Sequence, residues 1–111
     1  MAKVDFHCHS FYSDQPIHWL FRKLGGRESY TPVEDLYSRL KTIGMDFVTI
    51  TDHDRIEGAV ELADQHEDCF ISCEFSVYFY RQPAYVHICA YDITEKQYHM
   101  GRKLSHDIIQ F

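Results

Sequence analysis

His7 and His9 stand one residue apart at the end of a short apolar run, and a carboxylate, Asp14, follows five residues after His9. Side chains alternate across a strand, so both imidazoles leave the backbone on one face and can grip one ion together. Taken alone, a His-x-His pair fits equally well two polar residues hydrogen-bonded to loop carbonyls at a strand exit. Three further segments shift that balance: Thr51-Asp52-His53-Asp54, Cys73-Glu74 and Val86-His87 each fall at or near the end of a predicted strand. The candidate metal ligands are therefore His7, His9, Asp14, His53, Glu74 and His87. All are imidazoles or carboxylates, the set suited to zinc, manganese and iron.

The elements that must position these groups follow from hydrophobic spacing and punctuation. Residues Lys3 to Cys8 read as a first strand ending at the histidine pair, and Gln15 to Tyr30 as an irregular stretch with an aromatic cluster, His18-Trp19-Leu20-Phe21, and the breaker Gly25-Gly26. That cluster is either an apolar plug or a lid over the site. Thr31-Pro32-Val33-Glu34 has the elements of a capping box with proline at the first helical position. Val33, Leu36, Tyr37, Leu40 and Ile43 then recur at helical spacing up to Gly44, which is placed to close the helix. A second strand, Phe47 to Thr51, delivers Asp52-His53-Asp54, and a short helix spans Ile56 to His66. A third strand runs from Cys69 to Glu74 and on through Val77 to Phe79, and a fourth from Tyr85 to Cys89, joined through Gln82-Pro83 as an antiparallel hairpin. Thr94, with Gln97 three residues later, caps a last helix whose apolar stripe is Met100, Leu104, Ile108 and Phe111.

Composition narrows the function classes. The 111 residues carry a net charge of -6 and only 11 scattered basic residues, so no electrostatic footprint for nucleic acid is visible. No stretch has the length and apolarity of a membrane span and the N-terminus lacks the apolar run of a signal peptide, so a cytoplasmic protein is expected. Cys8, Cys69, Cys73 and Cys89 show no zinc-knuckle spacing and are read as reduced core thiols, Cys8 pointing away from its histidine neighbours. His18, His66, His99 and His106 read as surface or capping histidines, with His18 set apart because its loop follows Asp14 directly; Asp64, Glu67 and Asp68 read as a solvated helix end, and Arg55 as solvent-facing, contact with a phosphate being its alternative. Asp52, the candidate catalytic residue, either orients His53 or caps the helix after it; Asp54 is expected to cap.

His7-x-His9-Ser10-x-x-Ser13-Asp14, the helix from Thr31-Pro32 to Gly44-Met45-Asp46, then Phe47-Val48-Thr49-Ile50-Thr51-Asp52-His53-Asp54, Glu74 and His87-Ile88-Cys89-Ala90-Tyr91 resemble the opening of the PHP (polymerase and histidinol phosphatase) superfamily, in the same order, over Val4 to Ile93. The resemblance implies a distorted (β/α) TIM-like barrel with its site on the C-terminal face of the strands. It also implies two or three divalent ions: His7, His9 and Glu74 sharing one, Glu74 bridging to a second held by His87, and Asp14 with His53 holding a third. The implied activity is hydrolysis of a phosphate ester, with a phosphorylated small molecule as substrate and nucleic acid less favoured.

Closing such a barrel takes about 200 residues, so 111 supply about half. A single, incomplete PHP domain spanning residues 1–111 is expected, with the closing strands, a further histidine and an Asp-x-His pair lacking, and with uncovered apolar surface that favours a homodimer. The alternative is a non-catalytic or regulatory PHP module attached to another enzyme. Trp19-Leu20-Phe21 and Glu28-Ser29-Tyr30-Thr31 resemble PHP domains of glycosyltransferase-like proteins. Retention of all six ligand positions favours catalysis over such a module.

Overall fold

A computed structural model describes residues 1–13 and 31–111. Asp14 and the aromatic stretch from Gln15 to Tyr30 lie outside the described residues. Within them the chain is a small mixed α/β structure of three helices and two two-stranded sheets, with no closed barrel.

The first half is a βαβ unit. Strand β1 (Val48–Ile50) pairs in parallel with β2 (Cys69–Ile71) through the crossover helix α2 (Glu57–Gln65), while helix α1 (Val33–Thr42) packs on α2 and β1. Val33, Leu40, Val48, Ile50, Ala59, Leu62 and Cys8 form one core, with Leu36, Tyr37 and Met45 against it. Gly44, at φ +96°, ends the α1 segment in the left-handed conformation that glycine adopts at no steric cost. The expected capping box at Thr31 is not formed: α1 begins at Val33 with Pro32 as its N-cap and no side-chain cap. Glu34 turns instead to His66, 3.2 Å away, whose ring stacks on Tyr37.

The expected first strand reduces to one parallel bridge, Val4 to Phe47. The cause is local: Asp5 Oδ1 accepts the His7 amide at 3.0 Å, a side-chain bond that competes with the ladder. The chain nevertheless runs beside β1, tied at one end where Asp46 and Phe47 donate to the Lys3 carbonyl and at the other where Thr51 donates to the Cys8 carbonyl.

The expected long third strand is broken at Ser72. Beyond the break, β3 (Cys73–Tyr78) pairs antiparallel with β4 (Tyr85–Ala90), the predicted hairpin, in a register that sets Glu74 opposite Cys89 and Ser76 opposite His87. Ser72 is fully buried and its hydroxyl accepts from Thr49, so the polar bond is made inside the protein where the chain changes sheets. Helix α3 (Glu95–Leu104) carries the predicted capping box at Thr94 and Gln97. It is shorter than its apolar stripe suggested. Met100 is exposed, and Ile108 and Phe111 come after the helix has ended, in turns that fold back so that Phe111 meets Phe75. Ile56, Cys73, Phe75 and Val77 form a second core with Tyr98 and Ile108 against it.

Candidate metal centre

The two halves meet at a short parallel bridge, His53 to Glu74, just beyond β1 and just inside β3. The Glu74 amide donates to the Asp52 carbonyl and the Asp54 amide to the Glu74 carbonyl, so His53 and Glu74 are fixed as neighbours by backbone bonds before any side chain is considered. The turn bearing His7 and His9 is held over this pair by a separate set of contacts. Asp52, almost fully buried, accepts from the Ser10 amide at 2.6 Å and the Ser10 hydroxyl at 2.5 Å. Thr51 bonds both ways with the Cys8 backbone, and the Tyr12 hydroxyl donates to Glu61 on α2.

The outcome is a convergence of four imidazoles on one carboxylate. Glu74 Oε2 lies 3.3 Å from His7 Nε2, 3.2 Å from His9 Nε2 and 3.7 Å from His53 Nδ1, and Glu74 Oε1 lies 3.2 Å from His87 Nδ1. His7 Nε2 and His9 Nε2 are themselves 3.0 Å apart. The His9 ring stacks on His53 and the His53 ring leans on His87. Five of the six sequence-derived candidates, His7, His9, His53, Glu74 and His87, thus share one small volume. Asp14, the sixth, is outside the described residues.

These positions suit a cation. Tetrahedral nitrogen and oxygen ligands about 2.1 Å from an ion stand about 3.4 Å from one another; the four separations around Glu74 Oε2 and between the two Nε2 atoms are 3.0, 3.2, 3.3 and 3.7 Å. The Glu74 side chain is 5% exposed, and among the described residues no donor makes a hydrogen bond to its Oε2. A polar oxygen buried without a partner is costly, and a cation is one partner that answers it. Among the described residues two groups of side chains offer ligand atoms within 4.8 Å of one another, His9, His53 and Glu74, and His7, Glu74 and Cys89. The cysteine was not anticipated from sequence. Its signal was there, since Cys89 follows His87 by two residues and a strand turns both to one face.

Other candidates fall differently. Asp54 does not cap α2, whose N-cap is Ile56; its carboxylate accepts from the Ser76 amide at 2.9 Å and from Arg102 of α3 at 2.6 Å, while Tyr98 donates to its carbonyl. Asp54 itself takes φ 56°, a left-handed conformation that aspartate tolerates better than most residues. Asp52 is placed on Ser10, where it shapes the histidine turn. Ser13, which sequence reasoning left without a role, accepts the His53 amide at 3.3 Å and lies 3.4 Å from His9 Nδ1, so it joins the two ligand-bearing segments. Arg55 pairs with Glu57 in the open. Asp68 is not merely solvated: Lys41 sits 2.7 Å from it and the Tyr37 hydroxyl donates to it. Of the four free thiols, Cys8 is buried as expected, and burial, with Asp5 beside it, pushes it up to about 12.

No family model, curated protein or solved structure matches this chain. Among the described residues no helix is long and apolar enough to cross a membrane.

Proposed function

We propose that this chain is a metal-dependent phosphoesterase of the PHP type, with Asp52 shaping the turn that carries His7 and His9. The observation that carries this reading is the buried Glu74 carboxylate, whose Oε2 faces the imidazoles of His7, His9 and His53 and whose Oε1 faces His87. A carboxylate with three imidazoles near one oxygen and a fourth near the other is suited to bridging two ions, and imidazole and carboxylate ligands suit zinc, manganese or iron. When bound, such ions supply Lewis-acid charge for a phosphoryl oxygen and a nucleophile at neutral pH.

The chain's own residues hold, orient and insulate the site. His7, His9, His53, Glu74 and His87 would be the ligands, with Asp14 completing the set. Ser13 steadies the His9 ring and the His53 backbone, and Asp52 fixes Ser10. The parallel order of the Val4 segment, β1 and β2, with His53 beyond the C-terminal end of β1, supports the opening of a TIM-like barrel.

The test is metal analysis of the purified chain followed by hydrolysis of an aryl phosphate with manganese or zinc added. Turnover that disappears in His9→Ala is expected. Chain that stays inert after reconstitution, although it binds metal, would point to the non-catalytic module instead.

A further inference from the structure

Cys89 lies on the rim of the centre, and its place there is set by the backbone. The β3–β4 register pairs Glu74 directly with Cys89, so the carboxylate and the thiol rise from the same face of the hairpin as cross-strand neighbours. His87, two residues earlier on β4, shares that face and reaches Glu74 Oε1. Cys89 Sγ is 3.8 Å from His7 Nδ1. One ligand atom from each of His7, Glu74 and Cys89 fits within 4.8 Å of the others, and Cys89 is partly open to solvent. The lone thiol does not make the site. A second observation does: the nine-tenths-buried Glu74 side chain, whose Oε2 lacks a hydrogen-bond donor among the described residues, brings that oxygen to 3.3 Å from His7 Nε2 of this group.

We propose that Cys89 is a thiolate ligand, with His7 and Glu74, of the outer of two cation sites that share the Glu74 carboxylate. The proposal rests on the metal centre described above and adds a soft ligand to an otherwise nitrogen and oxygen set. Chemistry then follows from ligand type. Thiolate favours zinc, cobalt and cadmium over manganese and magnesium, so the outer site discriminates among divalent ions where an all-imidazole and carboxylate centre would accept manganese readily. The inner group, His9, His53 and Glu74, keeps the harder character. One centre thus has two sites of unequal preference.

Cobalt tests this directly, because a cobalt–thiolate bond gives a sulfur-to-metal charge-transfer absorption in the near ultraviolet that nitrogen and oxygen ligands do not. The full chain, reduced and stripped with chelator, is titrated with cobalt alone under anaerobic conditions. A charge-transfer band that saturates with metal is expected in the parent and in Cys69→Ser, and is expected to vanish in Cys89→Ser. Cadmium affinity should fall at least about tenfold in Cys89→Ser, with manganese affinity changed by less than about twofold, the scale of loss seen when one member of a site is altered. Circular dichroism of Cys89→Ser guards against a folding defect, and Cys89→Ala provides a second variant should the hydroxyl disturb β4. Cobalt bound with d–d bands but no charge-transfer band overturns the thiolate ligand and leaves the phosphoesterase reading intact. The band without phosphate-ester hydrolysis sustains the thiolate ligand and overturns that activity. Failure of cobalt to bind at all overturns both.

Discussion

At the scale of single residues, the centre depends on a few buried carboxylates, Asp52, Asp54 and Glu74. Asp52 accepts two bonds from Ser10, so Asp52→Leu, of similar size, removes both acceptors and leaves the buried Ser10 amide and hydroxyl without them. The expected loss is about 1–3 kcal/mol of stability, the cost of a buried group left unsatisfied, and a 10- to 100-fold weaker metal affinity, the usual range when a group that orients a ligand is changed. Urea unfolding and calorimetric titration check the two separately. Asp68 offers a pH test away from the centre. Its hydrogen bond with Lys41, aided by the Tyr37 hydroxyl, holds its carboxyl below the usual carboxylate value, though the group is partly open to solvent. Because the folded-state pKa is the lower one, this contribution is present above the ordinary value near 4 and is lost as pH falls through the depressed one. Lys41→Met should therefore lower the melting temperature at pH 7, with the difference from the parent shrinking below pH 4. An unchanged difference at pH 3 would assign the effect to packing of the lysine stem.

At the scale of elements, two packing contacts carry the ligands. Gly58, in the first turn of α2, lies so close to the histidine turn that an added Cβ would meet Ser10 Oγ at 2.9 Å, Asp52 Oδ2 at 3.0 Å and Tyr12 at 3.2 Å. Gly58→Ala should cost about 1–3 kcal/mol by overpacking despite alanine's better helix propensity, and should loosen the metal site with it. Helix α3 grips the other side through Arg102 and Tyr98 on Asp54, the residue after His53. Arg102→Leu combined with Tyr98→Phe should weaken metal binding while the helical signal in circular dichroism persists; an unchanged affinity would show that α3 has no part in placing His53. Much of this was legible in sequence. The β3–β4 hairpin, the α3 capping box and the glycine stop after α1 follow from local turn and cap chemistry, and residue type and order marked five side chains that do converge, although Glu74 and His87 lie early in β3 and β4 and not at strand ends. What escaped was set by contacts distant in sequence. Asp5 captures an amide and shortens the first strand to one bridge, Ser72 finds Thr49 and lets one long strand turn into two, and Asp54 finds Arg102 forty-eight residues away rather than the helix beside it. None of these partners has a spacing that a linear pattern can announce.

At the scale of the whole molecule, the described residues form two hydrophobic cores, one around Ile50 and Leu62 and one around Phe75, and few side chains belong to both. His7, His9 and His53 are delivered from the first and Glu74 and His87 from the second, so the centre is where the halves are joined. An ion held there would act as a cross-link between units that otherwise melt at different temperatures. At an ion concentration 100 times the dissociation constant, mass action alone stabilises the folded chain by about 2.7 kcal/mol. Calorimetry should show a single sharp transition with metal and a lower, broader or divided one after chelation. Hydrogen exchange should then open β3, β4 and α3 before β1, β2 and α2. In these terms an ion at the proposed centre would belong to the folding cooperativity as well as to the proposed chemistry: a cell short of metal would hold a protein that loses its second half as a unit, and the exposed Phe75 core, more than a missing turnover, would mark it for degradation.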